Sequence, residues 1–197
     1  MNKKSVAASI VVVFAAIVFS VIGICFSVFV FSDTKILVTK VSVKSVSGVE
    51  IFEDEKLTKK TTELKLSDMQ LGLKPATGEV DADSQIPSSV NEQNASEGYY
   101  ATVYVKTSID YKIIVTDIAI ESDKNEMDIK EERENIFISI KDVNASTKTL
   151  ENDETEIASF EDVSETQKLI FFIWLGAYAD DILEGSKISF TLEFIAL

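Results

Sequence analysis

From residue 36 to the C-terminus, the dominant pattern is a run of segments in which apolar side chains recur at every second position. The clearest case is the C-terminal SKISFTLEFIAL, where Ile188, Phe190, Leu192 and Phe194 fall on one side and Lys187, Ser189, Thr191 and Glu193 on the other. A period of two is the mark of a pleated strand with one buried face, and it cannot be satisfied by a helix. The same alternation runs through KILVTKVSVKSV, with Leu37, Thr39, Val41 and Val43 opposite Val38, Lys40, Ser42 and Lys44. It recurs in YYATVYVKT, where Ala101, Val103 and Val105 oppose Tyr100, Thr102, Tyr104 and Lys106. In DYKIIVTDIAI, Tyr111, Ile113 and Val115 oppose Ile114, Thr116, Ile118 and Ile120. In NIFISIK, Ile136, Ile138 and Ile140 alternate with Phe137 and Ser139. KLIFFIWL (168–175) is apolar almost throughout, which predicts a central strand buried on both faces.

These segments are rich in β-branched and aromatic residues and are separated by polar turns. They predict an all-β body of about seven to nine strands, an antiparallel β-sandwich or jelly roll. Helix signals are sparse. The charged stretch 121–134 is compatible with a short helix or a loop, and a short helix is compatible with SDMQLGL (67–73). The stretch 74–98 holds both prolines and little apolar content, and reads as a long loop that is either mobile or functional. Tyr99 and Tyr100 begin a strand and are candidates for exposure, whereas Trp174 belongs in the core.

A different pattern precedes the strands. Met1-Asn-Lys3-Lys4 is followed by an uncharged run from Ser5 to Ser32. As a helix that run is about 42 Å long, more than the ~30 Å of a hydrocarbon core. The division expected is a cytoplasmic N-terminus at 1–4, a transmembrane helix or uncleaved signal anchor at 5–32, and an extracytoplasmic domain at 33–197. Lys3 and Lys4 place the N-terminus in the cytoplasm. The expected location is therefore the cell membrane, single-pass, with the C-terminal domain extracellular and the membrane as its first partner. The alternative is a signal peptide cleaved to release a secreted domain. Val30 and Ser32 form the only tolerable cleavage pair near the end of the run, and the length of the run favours retention. Ile24 before Cys25 does not fit a lipoprotein signal, and the run has no Glu of the pilin kind.

Composition narrows the chemistry. The chain has no His, one Cys and a net charge of -14. Ser-His-Asp and Cys-His catalysis, His-ligated or Cys-rich zinc sites, internal disulfides and iron–sulfur clusters are thereby excluded. Residues 33–197 hold 33 acidic and 17 basic side chains, a net of -16, which argues against a nucleic-acid partner. Carboxylates cluster at Glu53-Asp54-Glu55, at Glu151, Asp153, Glu154 and Glu156, and at Asp180-Asp181, and they read as solvated surface. Asp81-Ala-Asp83 and Glu151-Asn-Asp153-Glu154 begin calcium-loop spacings without completing them. Asn94-Ala-Ser96 and Asn144-Ala-Ser146 match the glycosylation triplet, which occurs often by chance. No phosphate loop, dinucleotide fingerprint or nucleophile elbow occurs. The expectation is no enzyme, no catalytic or metal residues and no cofactor.

Two stretches carry a resemblance. Phe31-Ser32-Asp33-Thr34 resembles the mature N-terminus of TasA/camelysin-type proteins, exported Gram-positive surface proteins processed by a dedicated signal peptidase. The stretch from Ile173-Trp174-Leu175 through Asp180-Asp181 and Gly185 to the alternating Ile188–Phe194 resembles their last hairpin. The resemblance spans the two ends of the chain, some 40 residues. It implies an extracellular jelly roll, in some members a matrix-fibre subunit joined by strand addition. The chain departs from the family at Phe29 and Val30, where the family has small residues just before the junction. That departure implies poor cleavage and a strand 36–44 tethered to the bilayer. The protease activity ascribed to camelysin does not carry over through the usual zinc chemistry, since no His is present. The function expected is a non-catalytic, membrane-anchored surface protein, a structural or interaction module whose sheet edges or 74–98 loop meet a protein partner or another copy. The alternatives are a calcium- or glycan-binding surface module and, further off, a carboxylate-dependent hydrolase.

Overall fold

A computed structural model describes residues 36–67, 76, 86–93, 97–123, 130–177, 179 and 183–197. The described residues form nine strands: β1 (Leu37–Ser45), β2 (Val49–Phe52), β3 (Gly98–Thr107), β4 (Tyr111–Glu121), β5 (Ile136–Ile140), β6 (Lys148–Thr149), β7 (Thr155–Phe160), β8 (Gln167–Leu175) and β9 (Lys187–Ala196). They make two sheets, ordered β1-β9-β4-β7 and β2-β3-β8-β5-β6. Helical residues at 130–132 lead into a 3-10 turn at Arg133–Asn135, at the end of the 121–134 stretch and one residue beyond it. The run 5–32, Cys25, most of SDMQLGL, Asp81, Asp83, Asn94 and Asp180-Asp181 lie outside the described residues. Among the described residues no helix is long and apolar enough to cross a membrane.

The two sheets bury one face each in a shared core. Ile188, Phe190, Leu192 and Phe194 of β9 meet Val103 and Val105 of β3, Ile136, Ile138 and Ile140 of β5, and Phe171 and Ile173 of β8. Tyr111 is fully enclosed at one end, its ring stacked on Phe160 at 4.9 Å and Phe194 at 5.9 Å between centroids. Its hydroxyl donates to the Gln167 side-chain oxygen. Burial raises the phenol well above its ordinary value.

β8 lies between β3 and β5 and is buried continuously from Leu169 to Leu175, as its apolar sequence predicts. Leu169, Phe171, Ile173 and Leu175 enter the shared core. Ile170, Phe172 and Trp174 point to the opposite face and form a second cluster with Phe137, Val90 and Ala76. Trp174 is fully buried there, stacked on Phe137 at 5.6 Å and 11°. The segment read as a polar loop supplies the cover. Ala76 N donates to Leu175 O at 2.9 Å, while Val90 and Ile86 pack onto the cluster. Three apolar residues in a polar stretch are too few to register as a periodicity, yet they close the outer face of the sheet.

The expectation of a purely antiparallel arrangement needs correction. β1 pairs with β9 in parallel, from Leu37 beside Lys187 to Ser45 beside Phe194. The two strands are joined by the rest of the chain rather than by a hairpin, so no short turn imposes opposite directions.

Register shifts also break the alternation: one between Ile113 and Ile114 where β4 pairs with β7, and two that change which residues of β1 and β4 face the core. A register shift between Val38 and Lys40 puts Val38, Val41 and Val43 on the buried face, rather than the Leu37, Thr39, Val41, Val43 set. The Thr39 hydroxyl there donates to Ile188 O at 3.1 Å. A second shift between Thr116 and Ala119, with Asp117 at φ 52°, turns the end of β4 over. Ile118 and Ile120 consequently reach the same core as Tyr111, Ile113 and Val115. A bulge inserts an extra residue and reverses which side faces inward, so period two applies only between bulges. Tyr99 is also buried, 2% exposed, and is not available as a surface group.

Gly98 begins β3 where the covering segment comes closest. A Cβ at this position would lie 2.8 Å from Val90 Cγ1 and 2.9 Å from the Ile173 carbonyl oxygen. Gly98→Ala is expected to destabilise the fold by about 1–3 kcal/mol, the cost of overpacking. Urea unfolding followed by Trp174 fluorescence measures this, and an unchanged midpoint contradicts the contact.

Candidate functional site

Three parts of the surface are candidates for function: the sheet edges, the carboxylate clusters and a cavity on the outer face of the five-stranded sheet.

Both edges at the β1/β2 side are occupied by one short segment. Val43 N donates to Thr62 O and Leu64 N to Val41 O, at 2.7 and 2.8 Å. Thr61 N donates to Ile51 O and Glu53 N to Lys59 O, at 3.0 and 2.9 Å. Residues 62 and 64 thus serve β1 while 59 and 61 serve β2, and Leu64 is buried in the shared core. The strap satisfies backbone groups that an open edge would present to another chain. At the opposite side, no described residue forms a backbone ladder with the outer edge of β7, and β6 is only two residues long.

The carboxylate clusters are used locally. Asp54 accepts hydrogen bonds from the backbone N–H groups of Thr58 and Lys59, and so closes its own turn. Lys59 pairs with Glu53, and Lys60 with Glu50. These pairs hold both glutamate carboxyls below their usual range. Lys44 of β1 lies 2.7 Å from Asp117 and 3.1 Å from Glu193, tying β1 to β4 and β9. Its hydrogen bond, with help from the Thr191 hydroxyl, holds Asp117 low. Glu156 pairs with Lys112 at 3.1 Å.

Arg133, the chain's single arginine, is 7% exposed. Its Nε donates to Leu150 O at 2.7 Å, one terminal nitrogen to Asn152 O at 3.0 Å, and the other to Asp153 Oδ1 at 2.9 Å. The planar fork thereby fixes the connection from β6 to β7. Asp153, which fell in a possible calcium spacing, is engaged by this arginine, whose hydrogen bond lowers its acidity range. Among the described residues no three Asp, Glu, Cys or His groups come together to hold a metal ion.

The cavity is a half-open hollow of about 840 Å³ between residues 86–93 of the covering segment and the turn from β5 to β6. Phe172, with the half-buried Ile86 and Pro87, contributes apolar floor, and Gln93, Asn144 and Lys141 contribute polar wall. The turn holds Asp142 and Ala145 in the left-handed region, at φ 60° and 55°. Ser146 stabilises it, since its hydroxyl accepts from Ile140 N at 3.0 Å and lies 2.9 Å from Ile140 O and 2.8 Å from Val143 O. Ser139 joins this hydroxyl to that of Thr147, at 3.0 and 3.1 Å. Of the triplet Asn144-Ala-Ser146, Asn144 is exposed and Ser146 buried.

Sequence reasoning did not single out Arg133, the 59–64 strap or this cavity. A lone arginine in a lysine-rich chain was the one available signal, because arginine alone offers a fork that satisfies several carbonyls at once.

No family model matches the chain, and neither a curated protein nor a solved structure matches it.

Two outcomes test the Arg133 clamp. Arg133→Ala leaves the buried Leu150 carbonyl unsatisfied and is expected to cost about 1–3 kcal/mol in urea unfolding, with Arg133→Lys restoring only part. Asp153 has a lowered folded value, so its charge stabilises the fold above the ordinary carboxylate range near ~4 and ceases to do so as pH falls through the lower folded value. The stability gap between the wild type and Asp153→Asn is therefore expected to close on acidification. A gap independent of pH contradicts the ion pair.

Proposed function

We propose that the chain is a non-catalytic surface protein of the TasA/camelysin kind, anchored by residues 5–32, with its β body displayed outside the cell as a structural or interaction module. The observation that carries this reading is the uncharged run Ser5–Ser32, led by Lys3 and Lys4 and followed directly by a strand-rich, acidic body. A run of this length suits a membrane span. The net charge of -16 on residues 33–197 suits a soluble domain that repels its own kind except at specific contacts.

The strand order supports the finer reading as a jelly-roll sandwich. β1-β9-β4-β7 faces β2-β8-β5-β6, with β3 inserted between β2 and β8. The local use of the carboxylates supports a role without catalysis, because Glu53, Asp54, Asp153 and Glu156 each serve a turn or an ion pair. Assembly by strand addition is best supported at β7. The β1 and β2 edges are already paired with the strap, and β7 is a six-residue edge strand without proline or lysine.

A single-cysteine variant tests display. With Cys25→Ser removing the native thiol, Ser164→Cys places a reporter at an exposed position between β7 and β8. On intact Gram-positive cells producing the full chain, a membrane-impermeant maleimide is expected to label this residue. Labelling only after lysis contradicts the proposal. The mass of the labelled product distinguishes an anchored chain from one cleaved near Ser32.

A further inference from the structure

The cavity beside the β5–β6 turn has a hydrogen-bonding polarity that follows from counting protons. Ser146 has one hydroxyl proton, and two carbonyl oxygens lie within 2.9 Å to take it. The proton in the Ser139–Ser146 contact must then come from Ser139, and the proton in the Ser139–Thr147 contact from Thr147. The chain of hydroxyls runs Thr147 to Ser139 to Ser146 to carbonyl. It ends with Thr147, 4% exposed and on the cavity wall, having given its proton inward and retaining only acceptor capacity.

The remaining wall is mixed. Gln93 and Asn144 have exposed side-chain amides that no described residue engages, each able to donate and accept. Lys141 and Glu92 approach only to 4.0 Å and are both more than two-fifths exposed, so they form a loose pair that solvent or a ligand readily replaces. With Asp142 the wall carries two acids against one base. That balance, within an acidic chain, disfavours phosphate- or sulfate-bearing ligands. The floor of Phe172, Ile86 and Pro87 offers an apolar surface to C–H groups. The volume of about 840 Å³ is in the range of small-molecule sites, roughly 300–1,000 Å³. Ala145 holds a left-handed φ in the wall, a conformation costly for a residue with a Cβ that the Ser146 bonds maintain.

We propose that this cavity binds a neutral saccharide, with Thr147 accepting from a sugar hydroxyl, the Gln93 and Asn144 amides gripping its neighbours, and the floor of Phe172, Ile86 and Pro87 lying under the ring. A sugar presents adjacent donors and acceptors on one side and a C–H face on another, which is the combination the wall and floor complement. A simple cation would use Glu92 and Asp142 but leave the amides and the floor without a role. The proposal does not depend on where the body is displayed, so it and the anchored-surface reading can fail separately.

The test is calorimetric titration of the full chain in lauryldimethylamine oxide micelles, a detergent without sugar. The probes are cellotriose, maltotriose and chitotriose, with trigalacturonate as the anionic comparison and spermidine as the cationic one. At least one neutral trisaccharide is expected to bind with a dissociation constant of about 1 mM or tighter, while trigalacturonate and spermidine do not. Gln93→Ala and Asn144→Ala are expected to weaken binding about fivefold or more, as for one lost hydrogen bond. Both residues are exposed, and unchanged thermal melting of these variants separates a lost ligand contact from a lost fold. Thr147→Val is expected to weaken binding as well, through the lost acceptor. Failure of all three neutral sugars overturns the proposal. So does binding that is indifferent to all three substitutions, or spermidine binding in place of sugar.

Discussion

The structure depends on a strand that cannot tolerate water on either side. β8 presents large apolar side chains to both of its faces, and each such side chain gains about 1.5–3 kcal/mol on full burial. One sheet face can be covered by another sheet, and β9, β4 and β1 do that for Leu169, Phe171, Ile173 and Leu175. The opposite face needs a second cover. Ala76, Ile86 and Val90 provide it over Ile170, Phe172 and Trp174, and the 86–93 segment that covers the sheet is also one wall of the cavity. The same requirement that shapes the core therefore creates the concave surface against the β5–β6 turn.

Closing a pair of sheets leaves edges, and this chain handles its two sides differently. The 59–64 strap divides its backbone bonds between β1 and β2, so one short segment closes both sheets on that side. On the other side, Arg133 holds the passage from β6 to β7 by two carbonyls and one carboxylate. The turn there is fixed, but the outer edge of β7 is left without a ladder partner among the described residues. The strand addition we propose would therefore use one side of the body, and the sugar cavity we propose lies on the outer face of the five-stranded sheet.

Much of the fold was legible because period two is enforced wherever one face is buried. β3, β5 and β9 point the predicted residues into the shared core, though Phe137 and Ser139 of β5 and Thr191 of β9 are buried on the other side as well, and β8 shows the double burial that its unbroken apolar run requires. The pattern failed at Thr39 and Asp117, where bulges reverse the inward side and a regular reading carries the wrong residues into the core. It also missed the parallel β1–β9 pair, since alternation fixes faces but not strand direction. The covering role of residues 76–90 and the β1/β2 strap escaped for another reason. They work through a few isolated apolar contacts and backbone bonds, which leave no periodic trace. The cavity was illegible as well, because its walls come from segments about 50 positions apart, and the hydroxyl chain in one of them exists only once β5 and its turn have formed.

The central claim is that β8 is enclosed between two apolar layers, and the chain's single tryptophan reports on it. Trp174 lies in the outer layer, so its environment reveals whether the second cover exists. Fluorescence of the native protein, with acrylamide as quencher, is the direct measurement. The account predicts blue-shifted emission that resists quenching and becomes red-shifted and accessible only on unfolding. Native emission already red-shifted and freely quenched would contradict it, because β8 would then have one dry face rather than two.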